Sequence, residues 1–108
     1  MVKAPEEIDR IIKLYISKLK EMDIHIECVM LYGSYATGQA REESDIDLIV
    51  ISNDFEDMDI RERLEALGMA AARIMQPVQA RGYTPDEIES SDKSSFLAEA
   101  LERSKIAA

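Results

Sequence analysis

Basic residues are scarce in this chain of 108: 13 Lys and Arg stand against 22 Asp and Glu, a formal net charge of -9. A phosphate backbone is gripped by clustered cations, so a surface this acidic argues against direct nucleic-acid binding. It does not exclude a nucleoside triphosphate, because a divalent cation can bridge acids to phosphates. It also leaves room for a basic protein partner. Cysteine is nearly absent: Cys28 alone excludes an internal disulfide and fits a reducing cytoplasm, the expected location. No apolar run approaches the roughly 20 residues that span a bilayer. The N-terminal MVKAPEEIDR has no apolar core of the signal-peptide kind, so nothing points to export or a membrane. Nearly half the residues are hydrophobic and about a third charged, the balance of a globular chain of one domain, 1–108.

The apolar residues are ordered. Ile8, Ile11, Ile12, Tyr15, Leu19 and Met22 follow the spacing of one helical face, behind Pro5 and the early acids Glu6, Glu7 and Asp9. Ile24 to Tyr32 (IHIECVMLY) reads as a strand ending at Gly33, and Ser34 to Glu43 as a loop or short helix. Asp45 to Ser52 (DIDLIVIS) reads as a second strand, apolar after Asp47 as if covered on both faces. Asn53 to Asp59 is turn-like, and a helix from about Ile60 runs through Leu64, Leu67 and Ala71 toward Ile74. Pro77 to Tyr83 (PVQARGY) predicts a third strand, and Thr84-Pro85-Asp86-Glu87 a capped helix start. Phe96, Leu97, Ala100 and Leu101 give one more apolar face. The order is αβ(α)βαβαα, an α/β (α+β) arrangement with helices packed on a small sheet.

Two acids at the head of an apolar strand ask for a reason, since Asp is a poor strand former and costly to bury. Side chains two apart on a strand share a face, so Asp45 and Asp47 present their carboxylates together and can hold a hard divalent cation. Upstream, Gly33 permits close backbone approach, and Ser34 offers a hydroxyl and an amide at the start of a turn or helix, where anions bind. A phosphate seat and a metal seat together serve phosphoryl or nucleotidyl transfer. Taken singly, either dipeptide is an ordinary turn or strand end.

Jointly, GSYATGQAREESDIDL resembles the minimal nucleotidyltransferases, small single-domain members of the DNA polymerase beta-like superfamily, whose pattern G-S-x-x-x-G-x-x-x-x-x-S-D-I-D-L it fills at every fixed position. The leading helix, the strand before Gly33, the late strand with its Thr-Pro-acid helix and the ending SSFLAEALERSKI, similar to the family's closing helix, extend the likeness over nearly the whole chain. The resemblance implies the nucleotidyltransferase fold with its small mixed sheet. It also implies a two-metal Mg²⁺-dependent transfer of a nucleoside monophosphate from ATP or another triphosphate to a hydroxyl. Gly33 and Ser34 would hold the triphosphate, and Asp45 and Asp47 the Mg²⁺. A further implied association is with a small helical HEPN-type protein, as the antitoxin of a toxin-antitoxin pair; a homodimer is the alternative partner.

One departure stands out. The superfamily brings a third carboxylate from a neighbouring strand, and here that strand, MQPVQARGY, has Gln76, Gln79 and Arg81 as its polar positions and no acid. Gln is a neutral ligand and a poor base. A catalytically weakened module acting by nucleotide binding or by contact is therefore the competing reading. Asp86 and Glu87 suit a helix start better than a metal site. The lone His25 reads as a surface or edge residue, Cys28 as core, and Arg41 as part of a solvated loop.

Overall fold

In the computed structural model the described residues are 2–90, 98, 100–101 and 104–108. The elements are α1 (Pro5–Glu21), β1 (Cys28–Tyr32), α2 (Ser34–Thr37), β2 (Ile46–Ile51), a 3-10 turn (Asn53–Asp57), α3 (Ile60–Ile74), β3 (Val78–Tyr83), α4 (Pro85–Glu89) and β4 (Lys105–Ile106). The sheet order is β3-β2-β1-β4, with β1 antiparallel to both β2 and β4 and β2 parallel to β3. The mixed sheet flanked by helices matches the architecture expected from the alternating pattern.

α1 begins at Pro5, whose missing amide costs nothing there, and buries Ile8, Ile11, Ile12, Tyr15 and Leu19. These side chains pack with Val29 of β1, Ile46, Leu48 and Val50 of β2, and Leu67, Ala70 and Ile74 of α3 in the main core on one face of the sheet. The fully buried Tyr15 keeps its hydroxyl satisfied by donating 2.8 Å to the Leu67 carbonyl, and burial pushes its ionisation far above the usual phenol range.

α3 starts with a capping box: Asp59 accepts from the Glu62 amide and the Glu62 carboxylate accepts from the Asp59 amide. Its buried stripe is Arg63, Leu67, Ala70, Ala71 and Ile74. Leu64, on the same helix, is 51% exposed. Arg63 takes the inward place because its guanidinium meets a ready set of acceptors. It donates to the carbonyls of Phe55 (2.7 Å), Met58 (3.0 Å) and Gly82 (3.3 Å) and to Glu87 Oε1 (2.7 Å). A polar residue in a hydrophobic period is invisible to a pattern that counts apolar positions.

Three further boundaries differ from expectation. β1 starts at Cys28, because the amide of His25 is tied to the Asp54 carboxylate (2.7 Å) and leaves the ladder. β2 starts at Ile46, placing Asp45 just before the strand. Lys105 and Ile106, expected in a closing helix, form β4 instead, held on β1 by Ala107 N to Val29 O (2.8 Å) and Val29 N to Ala108 O (2.9 Å). Ala100 is buried and Leu101 partly buried in a second, smaller cluster with Ile49 and Ile51; Phe96 and Leu97 lie outside the described residues.

Candidate active site

Alternation along β2 divides its side chains. Ile46, Leu48 and Val50 enter the main core, while Ile49 and Ile51 lie in the second cluster with Met30, Tyr32 and Tyr83. Asp47 has the parity of Ile49, so its carboxylate rises from the face turned away from α1 and α3. Asp45 precedes the strand with the same parity and is close enough to repel Asp47. The turn that delivers Asp45 is closed by Ser44 N to Arg41 O (3.0 Å) and Arg41 N to Ser44 Oγ (2.8 Å). β2 then locks to the strand beside it through Ile46 N to Pro77 O, 2.8 Å.

Gly33 meets Asp47 from the other side. It follows β1 with φ 73° and ψ -153°, a conformation open in practice to glycine alone. A Cβ at this position would fall on the Asp47 carboxylate, 3.1 Å from Cγ and nearer still to Oδ2. The peptide carbonyl of Gly33 is used locally, accepting from the amides of Ala36 (3.1 Å) and Thr37 (3.2 Å), which winds Ser34–Thr37 into the single turn of α2. Gly38, at φ 75°, ends that turn. The structure thus brings Gly33, Asp45 and Asp47 together and puts Ser34 at the start of the turn beside them.

Strand register identifies the remaining neighbours. Across from Asp47 stand Tyr32 in β1 and Gln79 in β3, and across from Ile49 stands Arg81. Gln76 lies before β3, so Gln79 is the polar residue of β3 that stands across from Asp47, and it is not an acid. Among the described residues no group of three His, Cys, Asp or Glu could hold a metal ion. Two adjacent, half-buried carboxylates are nonetheless a hard oxygen donor pair of the kind that takes a divalent cation.

The electrostatics reflect this crowding. Burial, and then the Asp45 charge, push the Asp47 carboxyl above its usual range, and Arg81 pulls it back only in part. Burial and the Asp47 charge also raise the Tyr32 phenol, opposed by the charge of Arg81 and by its hydrogen bond to the hydroxyl. A cavity of about 840 Å³ lies along β3 and α3, lined by Leu64 of α3 and, on the side of the acidic pair, by Tyr32, Gln79, Arg81 and Tyr83; Gly33, Ser34, Asp45 and Asp47 are not in its wall. Nothing in the sequence marks Tyr32 and Arg81 as site residues. Tyr32 is the residue before the glycine and Arg81 lies two beyond Gln79, but only the register joins them to Asp47.

The other candidates lie elsewhere. His25 is exposed and bonds Asp54 through Nδ1 at 3.0 Å, a surface role. Cys28 pairs with Ile51 at the opposite end of β1 and packs in the second cluster. Glu87 belongs to the Thr84 capping box and to Arg63, and Asp86 is an exposed first-turn acid of α4. Arg41 is exposed in its loop.

Comparison with known proteins identifies the family and the fold. The sequence profile of the family described as Polymerase beta, Nucleotidyltransferase matches residues 12–102. No curated protein sequence matches the chain. Among solved structures, a toxin-antitoxin crystal structure with AMP-PNP aligns with a TM-score of 0.61 and 22% identity over 94% of this chain and 72% of that one. A candidate nucleotidyltransferase from Sulfolobus solfataricus aligns at 0.60 and 19% identity over 98% of this chain and 87% of that one. A tri-AMPylated Shewanella oneidensis HEPN toxin in complex with MNT antitoxin aligns at 0.53 and 20% identity, over 94% and 68%. At these identities the likeness is one of fold. No helix among the described residues is long and apolar enough to cross a membrane.

Proposed function

The chain belongs to the polymerase beta nucleotidyltransferase family, and from that premise we propose that it transfers a nucleoside monophosphate, AMP from ATP, to a hydroxyl acceptor. The observation that carries this reading is the seating of the Asp47 carboxylate against the α-carbon of Gly33. It joins a glycine-serine turn able to receive a triphosphate to the acidic pair at the other end of the same motif. Gly33, with no side chain, lets phosphate oxygens approach the backbone, and Ser34 adds an amide and a hydroxyl. Asp45 and Asp47 would hold Mg²⁺. When bound, the ion neutralises triphosphate charge and polarises the α-phosphoryl group.

The transfer forms a bond between the acceptor oxygen and the α-phosphorus and breaks the bond from that phosphorus to the bridging oxygen, releasing pyrophosphate. Gln79 stands across from Asp47 and can orient the acceptor by hydrogen bonding, but it takes no proton at neutral pH, so the acceptor proton passes to water. The cavity reaching Gln79 and Tyr83 gives the acceptor room. Because one neighbouring structure holds an AMPylated HEPN toxin with its MNT antitoxin, a hydroxyl on a small helical HEPN-type partner is the acceptor we favour. The net charge of -9 on this chain suits a partner that offers a basic face.

Gln79 in place of an acid supports a second reading, a module that binds nucleotide or partner and acts by contact. One experiment separates the two: incubation with labelled ATP, Mg²⁺ and the HEPN-type protein encoded nearest to it, beside an Asp45→Asn/Asp47→Asn variant. Label on the partner with the native chain only supports transfer. Equal label with both chains, or none with either, ends the enzyme reading for that acceptor.

A further inference from the structure

We propose that Arg81 stands where a second metal ion would act, so that this chain engages its nucleotide with one divalent cation. The inference rests on the nucleotidyltransferase reading above and narrows it, because the family resemblance implies two.

Two ions about 3.5 to 4 Å apart need bridging and flanking anions to hold four positive charges together. Here the register supplies few. Asp45 and Asp47 are adjacent, the residue across from Asp47 on β3 is the neutral Gln79, and the next residue of β3 on that face is Arg81, a permanent cation. No third acid, His or Cys completes a metal-binding group among the described residues. The four side chains together carry one net negative charge, which favours one dication and disfavours a second beside a guanidinium.

Arg81 is also held in position. The hydroxyl of Tyr32 accepts a hydrogen bond from it, and Tyr32 itself stands across from Asp47, so the guanidinium is tied to the wall beside the acidic pair. Its planar array of donors can serve that hydroxyl and a phosphate oxygen together, with positive charge that needs no ligand of its own. In this arrangement Arg81 is a binding and positioning residue for the triphosphate, and Gln79 is the matching substitution that keeps the charge in balance.

Electron paramagnetic resonance with Mn²⁺ and AMP-PNP tests this, after subtraction of the Mn²⁺–AMP-PNP spectrum recorded without protein. The native chain is expected to give an isolated Mn²⁺ signal, one per chain, and Arg81→Lys to retain it. Gln79→Asp/Arg81→Ala, which restores an acid and removes the cation, is expected to give a spin-coupled pair. A coupled pair in the native chain overturns the one-metal inference but leaves the nucleotidyltransferase reading intact. An isolated signal that persists in Gln79→Asp/Arg81→Ala overturns the role given to Arg81. No protein-dependent Mn²⁺ signal at all defeats the metal seat of Asp45 and Asp47, and with it the broader reading.

Discussion

The carboxylate of Asp47 rests on the α-carbon of Gly33, and the space that a side chain would fill at the glycine is taken by that carboxylate. Gly33→Ala would therefore do two things at once. It would displace Asp47, and it would force a Cβ into a backbone conformation with φ 73°, costing about 1–3 kcal/mol in strain. We expect a lower melting temperature together with loss of nucleotide binding, read by calorimetry with AMP-PNP. An alanine variant that binds AMP-PNP like the native chain would contradict the assignment of the glycine turn.

The acidic pair should trade stability for function. Asp47 is raised by burial and by Asp45, so in its charged form at neutral pH it works against the fold. Asp45→Asn/Asp47→Asn is expected to melt at or above the native temperature without metal. Mg²⁺ should raise the melting temperature of the native chain only, and transfer should fall by more than about 100-fold, the upper range for disturbing a residue behind a metal ligand. Loss of stability in the variant would assign the acids a structural role.

Arg63 joins α3, the 3-10 turn, β3 and α4 from a nearly buried position, 8% exposed. Its guanidinium carbon also lies 5.7 Å from the centre of the Phe55 ring. Arg63→Leu keeps the bulk but leaves the Phe55 and Met58 carbonyls without this donor, for a cost of about 1–3 kcal/mol, while the half-exposed Glu87 carboxylate turns to water. Urea unfolding measures it, and a change below about 1 kcal/mol would show that water replaces the network.

Glu87 makes part of that network depend on pH. The hydrogen bond from Arg63 is the largest influence on its carboxyl; desolvation opposes it, the bonds from Thr84 and the Arg63 charge add to it, and the carboxyl is held below its ordinary value of 4.5. Its folded ionisation lies below its unfolded one, so the stabilisation is complete above about pH 4.5 and is lost as pH falls through the lower folded value. Glu87→Gln should lower the melting temperature at pH 7 and flatten its decline below pH 4.5. Parallel native and variant curves across that range would remove Glu87 from the acid response.

Much of the frame was legible in local order. The spacing of Ile8, Ile11, Ile12, Tyr15 and Leu19 specified α1 and its buried face, and Thr84 with Glu87 specified the cap of α4, because helix periodicity and capping act within a few residues. The inward Arg63 and the exposed Leu64 were not legible. Which side of α3 faces the core depends on carbonyls supplied by Phe55, Met58 and Gly82. β4 is two residues long and owes its existence to the open edge of β1.

The same division runs through the site. By itself the sequence determined the parts: a glycine that must precede a turn, a serine beside it, and two acids whose spacing of two turns them to one side of a strand. Only the tertiary structure decided what surrounds them. Strand register is a relation between residues distant along the chain, fixed by packing and hydrogen bonding across the sheet. It set Gly33 against Asp47, Gln79 across from Asp47 where an acid was expected, and Arg81 one step further, held by Tyr32.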